Sequence, residues 1–148
     1  MADFYPSTLV SVRRYLLLLV CLACVATTTE LWMMGHHEDP WQWAPLGIMT
    51  VCVAGAVWVM TAWSASAVQV FRGLMVLLML AGALGTVLHY RANMEFQLEM
   101  DPSLFGVALM EKILHAKAPP SLAPGNMALV GLIGLVAVWR SEWSSVEP

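Results

Sequence analysis

Residues 27–45 read TTTELWMMGHHEDPWQWAP and gather Glu30, His36, His37, Glu38 and Asp39 among Trp32, Trp41 and Trp43. Imidazole with carboxylate is a donor set that zinc, iron or manganese accepts, and Met33 and Met34 beside the histidine pair add the softer ligands that copper takes. A divalent metal ion bound here would use His36 or His37 with His89. Glu30, Glu38 or Asp39 would complete its shell or orient an imidazole by accepting its other N–H. Haem between two histidines is a stricter version of the same chemistry. The spacing matches no established metal signature, and adjacent histidines converge only if a glycine-bounded turn lets them, a part Gly35 could play. The same residues also describe a solvated loop in which Glu30 or Asp39 pairs with Arg91.

Three other sets of residues could carry chemistry. Cys21-Leu-Ala-Cys24 is a CxxC with Cys52 at a comparable depth in the next apolar run. It resembles the redox pair of the four-helix disulfide-generating membrane oxidoreductases, whose working cysteines lie in or beside outer loops. The loops here contain no cysteine, and a thiol in apolar surroundings is inert, so packing is the expected role. Glu30 invites comparison with the proton-coupling acid of small multidrug transporters. Those place the acid near mid-membrane, whereas Glu30 stands about four residues from the end of its run, about 6 Å at the helical rise. The eleven methionines are scattered through the apolar runs, as gap-filling or lipid-facing side chains are. No Ser/His/Asp order, phosphate loop, HExxH or dinucleotide fingerprint is present.

The elements that must position these residues follow from composition. A chain of 148 residues that is 59% apolar and 11% charged, with a mean hydropathy of +0.71, is a membrane protein by its solvent preference. A net charge of −3 without a basic run excludes the electrostatic footprint of a nucleic-acid binder. Spanning helices need about 20 apolar residues. The runs predict spans over about 15–34, 45–64, 70–90 and 126–140, with outer loops 35–44 and 91–125. The first follows Arg13 and Arg14 as a retained signal anchor and ends on Gly35 as a C-cap. Asp39-Pro40 starts a short turn before the second, and the SASAVQ patch from Ser64 holds the turn before the third. Asp101-Pro102 predicts an amphipathic helix over 102–117 lying along the interface. The fold expected is an all-α integral membrane bundle of four transmembrane helices with a short interfacial helix in the second outer loop. Ala81, Gly82 and Gly85 against Gly131, Gly134 and Ala137 point to close packing of the third and fourth spans.

Orientation follows the basic residues. Arg13, Arg14, Arg72 and Arg140 fall on one side and Arg91, Lys112 and Lys117 on the other, mostly in the longer loop, so both termini are expected in the cytoplasm. All four histidines, His36, His37, His89 and His115, then lie outside. Apolar faces and polar loops without a complete catalytic set suggest an accessory or assembly subunit of a larger membrane complex, in contact with lipid and with other membrane subunits or itself. The alternatives are an extracytoplasmic metal- or haem-handling protein and a small oligomeric proton-coupled transporter.

Overall fold

The computed structural model describes residues 4–116 and 122–139, with side chains from residue 8 onward; the expectations for Lys117 and Arg140 lie outside these described residues. The elements are all helices: α1 (Phe4–Met33), a single 3-10 turn (Pro40–Gln42), α2 (Trp43–Thr61), α3 (Ala65–Met100), α4 (Gly106–Leu114) and α5 (Leu122–Ala137). Three of them, α1, α2 with its leading turn, and α3, are long and apolar enough to cross a membrane, which makes this a multi-pass membrane protein. α5 is equally apolar but has only 16 residues.

Around the axis the order is α1, α2, α3, α5, with α5 closing against α1; among the described residues, no backbones of diagonally opposite helices come within 8 Å Cα to Cα. Leu17, Val20 and Cys24 of α1, Met49, Cys52 and Ala56 of α2, Phe71, Met75 and Leu78 of α3 and Val130 of α5 meet in one core. The outward faces carry Leu18, Leu22, Val25, Leu77, Leu80 and Leu84, all exposed, and this apolar surface is what contacts lipid. Cys24 and Cys52 are buried free thiols, and Cys52 Sγ lies 3.8 Å from the Leu74 carbonyl.

α3 and α5 make the most extensive helix pairing because glycine lets their backbones touch. A Cβ on Gly82 would stand 2.5 Å from the Pro124 carbonyl oxygen and 2.8 Å from the Ala128 nitrogen, and one on Gly131 would stand 2.7 Å from the Met75 carbonyl oxygen. At the far end of the seam, the Arg72 guanidinium donates to the Val138 carbonyl at 2.9 Å and Arg13 donates to Trp139 at 3.0 Å. Both bonds go to carbonyls at the C-terminal end of α5, where the helix ladder stops. Arg13 also lies 5.6 Å from the centre of the Trp63 ring, a cation–π distance. α1 and α5 are pinned inside the apolar core by the Asn126 amide, which donates to the buried Thr27 hydroxyl.

Two elements differ from expectation. α3 does not end near Tyr90 but continues to Met100, 36 residues and about 54 Å in all. Residues that end a membrane span need not end a helix: Arg91, Ala92, Met94, Glu95, Gln97, Leu98 and Glu99 are good helix formers, and no glycine or proline interrupts them. Asp101-Pro102 then stops α3 rather than starting α4, because a residue before proline is driven out of the helical region and Asp101 is extended. Its carboxylate accepts from the Ser103 hydroxyl at 2.6 Å and the Ser103 N–H at 3.1 Å, bonds that hold the Asp101 pKa below its ordinary value. α4 therefore begins only at Gly106, whose φ of 60° belongs to the left-handed region, and it packs back on α3 with Ile113 buried.

The seam separates two glycines. Gly82→Ala is expected to destabilise the protein by about 1–3 kcal/mol through overpacking against backbone that cannot yield. Gly73→Ala, with nothing within 4 Å of the new Cβ, should be neutral or stabilising by up to about 1 kcal/mol through helix propensity. Unfolding of the two variants in detergent by added denaturant measures the difference.

Candidate functional site

The loop after α1 is shaped by its C-cap. Gly35 has φ 73°, its N–H reaches the Trp32 carbonyl at 3.1 Å, and the His36 N–H reaches the Leu31 carbonyl at 2.9 Å. This is the paired 6→1 and 5→2 bonding of a Schellman motif with glycine at its left-handed position. The reversal sends the two adjacent histidines to different places. His37 lies flat on Trp32, ring centres 4.5 Å apart and planes 12° apart, with the Trp43 ring at a steep 71° to it and its centre 6.2 Å away. His37 Nδ1 is buried without a hydrogen-bond partner among the described residues. The next step of the loop is held by Gln42, whose side-chain oxygen accepts from the Glu38 N–H at 2.9 Å and the Asp39 N–H at 3.3 Å. This is the backward reach of a capping-box glutamine, and it fixes the 3-10 turn that carries Trp41.

His36 turns the other way, toward α3, and meets His89 with ring centres 6.2 Å apart and planes 26° apart. Both rings face a cleft of about 550 Å³ at this end of the bundle. All four long helices contribute to it, through Leu31 of α1, Pro45 and Ile48 of α2, Ala81 and Gly85 of α3 and Pro124 of α5. The wall is apolar, Gln42 and the two histidines supplying its polar groups, and Trp41 stands at the rim with 85% of its surface exposed. Small residues make the space: Ala44, Ala81, Gly85 and Ala123 line it where larger side chains would close it.

Of the six residues singled out by type, the fold brings together His36 and His89 and keeps the others apart. His37 is held by tryptophans; Glu30, Glu38 and Asp39 are exposed. Among the described residues no three His, Cys, Asp or Glu side chains are grouped so as to hold a metal ion. The loop itself is held by backbone bonds, Gln42 and ring stacking. His115, the fourth histidine, closes the end of α4, its N–H 3.0 Å and its Nδ1 2.9 Å from the Glu111 carbonyl. The aromatic trap, the Thr27–Asn126 pin and the cleft are not apparent in the sequence. The only signals were the spacing of Trp32 and Trp43 around the histidines and a run of small residues in α3.

Comparison with protein-family models, characterised proteins and solved structures finds no match for this chain.

Burial, and secondarily the neighbouring His89, holds the His36 pKa below its ordinary 6.5. A folded-state pKa below the unfolded one means that the unfolded chain takes up the proton more readily. The corresponding stability is full above about pH 6.5 and is lost as the pH falls through the folded value. NMR titration is expected to give His36 a midpoint below 6.5, and His89→Gln should raise that midpoint only in part, since burial is the larger cause.

Proposed function

We infer that this protein is a non-catalytic subunit or assembly helper of a larger membrane complex, with four spans, both termini in the cytoplasm and the histidine end outside. The observation that carries this reading is the hairpin of α3 and α4. From Arg72 to Arg91 α3 covers about 28 Å, close to the thickness of a bilayer's hydrocarbon core, and the next nine residues extend about 14 Å further. That extension and α4 carry Arg91, Glu95, Glu99, Glu111 and Lys112, which favour water over lipid. With the connecting Phe105 they also carry Phe96, Met100, Val107 and Leu114, all exposed, with Phe105 and Val107 at 82% and 84%. Large apolar side chains left exposed on α4 and on the part of α3 beyond the length of a hydrocarbon core support a surface that another protein covers.

The four-span topology draws support from the placement of α5 within the ring and from Arg13 and Arg72 at its C-terminal end, where basic residues favour the cytoplasmic side. A transporter built on Glu30 has less behind it, because Glu30 is exposed on α1 and does not line the cleft.

Native gels after mild detergent extraction test the role. The wild type is expected to migrate in a heteromeric complex, and Phe105→Glu with Val107→Glu should release it while leaving its helical content intact. A stable monomer that carries out turnover alone would contradict the reading. In a cysteine-free background, a thiol at Ser103 should label from outside and one at Ser144 only from inside; the reverse would overturn the orientation.

A further inference from the structure

We propose that the cleft at the histidine end holds one acyl chain of a membrane phospholipid, with the lipid's ester carbonyls at the level of His36 and His89. Measured along α3, Arg72 to Arg91 covers about 28 Å, against a hydrocarbon core of about 30 Å. On the same scale Ala81, the α3 residue of the cleft nearest Arg72, stands about 14 Å from it and His89 about 26 Å. The cleft therefore runs from near the midplane of the bilayer to one interface, which is the depth of a single leaflet's chains. The inference draws on this span of α3 and not on a protein partner.

The lining changes character along that depth as an ester lipid does. Ile48, Ala81, Leu84 and Met127 offer no strong hydrogen-bond group. An ordered water needs two to four polar partners, so water does not fill this part of the cleft. A void there would forfeit the dispersion contacts that hold helices together in lipid, and a hydrocarbon chain restores them. Leu84 and Leu88 line the cleft and are also exposed, so the cleft adjoins the lipid-facing surface and a chain enters without crossing water. The polar side chains of the lining are His36, His89 and Gln42. The Gln42 oxygen is taken by the Glu38 and Asp39 N–H groups, which leaves its NH2 to donate, and an imidazole carries an N–H in either charge state. These are donors, and an ester carbonyl is an acceptor. Trp32, Trp41 and Trp43, all exposed, stand at the same end of the bundle, as indole rings do at the level of the headgroups. A polar ligand reaching as deep as Ala81 would set its own groups unpaired against carbon.

The test uses the full chain in nanodiscs of phosphatidylcholine that contain a trace of the same lipid bearing a photoactivatable diazirine on one acyl chain. Labelled residues are then read by mass spectrometry. Leu31 and Met127 line the cleft yet are only 6% and 5% exposed, so a label on them reports a chain inside it. Met49 and Val130 are as deeply buried but lie outside the cleft and serve as controls. The expected result is labelling of Leu31 and Met127 at least tenfold above Met49 and Val130. Ala81→Phe, which fills the cleft, should lower the Met127 label at least fivefold and leave the exposed Leu77 and Leu80 labelled as before. Ile48→Trp fills the cleft from α2 and gives the same reading if Ala81→Phe does not fold. An ether-linked phospholipid lacks the carbonyls, so unlabelled ester lipid should compete with the probe at least threefold better than its ether analogue. Replacing both histidines, His36→Ala with His89→Ala, should remove that difference. Three results would overturn the proposal: Leu31 and Met127 labelled no more than the controls, labelling unchanged by both filling variants, or equal competition by ester and ether lipid in the wild type.

Discussion

The contact on which the rest of the molecule depends is the glycine seam between α3 and α5. In lipid there is no hydrophobic gain from bringing two apolar helices together, so association rests on close packing and on the polar bonds that packing permits. Gly82 and Gly131 each stand against the partner helix's backbone, nearer than any side chain would allow. That approach sets the depth of α5 in the ring. Its first turn is thereby placed beside the cleft, Asn126 beside Thr27, and its last carbonyls within reach of Arg72 and Arg13. The two arginines satisfy carbonyls at the C-terminal end of α5, and under the proposed orientation they are also among the basic residues of the cytoplasmic side.

At the other end of the bundle the same seam has a different consequence. At Ala81, Gly82 and Gly85 the α3 surface is small, and at Gly85 it is the Pro124 ring that approaches from α5. The helices meet there without filling the space between them, which leaves an apolar chamber open toward the loop. The Schellman reversal at Gly35 then places His36 over that chamber and sends His37 away into the tryptophans. One left-handed glycine thus gives two neighbouring imidazoles unlike surroundings, one near a second histidine and one stacked on Trp32 beside Trp43.

Much of this was legible from residue types. The apolar runs, the Gly35 cap, the short turn after Asp39 and the small-residue faces of α3 and α5 all rest on local rules of spacing and propensity, and the structure contains each of them. The end of α3 was not legible, because hydropathy reports where a span stops, while Arg91 to Met100 mix charged and apolar residues most of which favour helix. Asp101-Pro102 was ambiguous for a related reason: the pair can open a helix or close the preceding one, and only the extended backbone at Asp101 decides. The pairing of His36 with His89 could be foreseen as a possibility, since the chain just after α1 and the His89 stretch of α3 were expected on one side. The separation of His36 from His37, the exposure of the three carboxylates and the existence of a chamber could not, because each depends on how far apart the helices stand, a distance set by contacts remote in sequence.

The central claim is therefore the register of α3 against α5 at the histidine end, and engineered cross-linking tests it most directly. A Cβ on Gly85 would lie 3.2 Å from the Cβ of Pro124, near the Cβ separation of about 3.5–4.5 Å that a disulfide needs. In a chain whose native Cys21, Cys24 and Cys52 are replaced, Gly85→Cys with Pro124→Cys should form an intramolecular disulfide on mild oxidation in native membranes, and Gly47→Cys with Pro124→Cys should not. Failure of the first pair, or equal cross-linking of the second, would contradict the packing on which the chamber, the arginine caps and the histidine pair all rest.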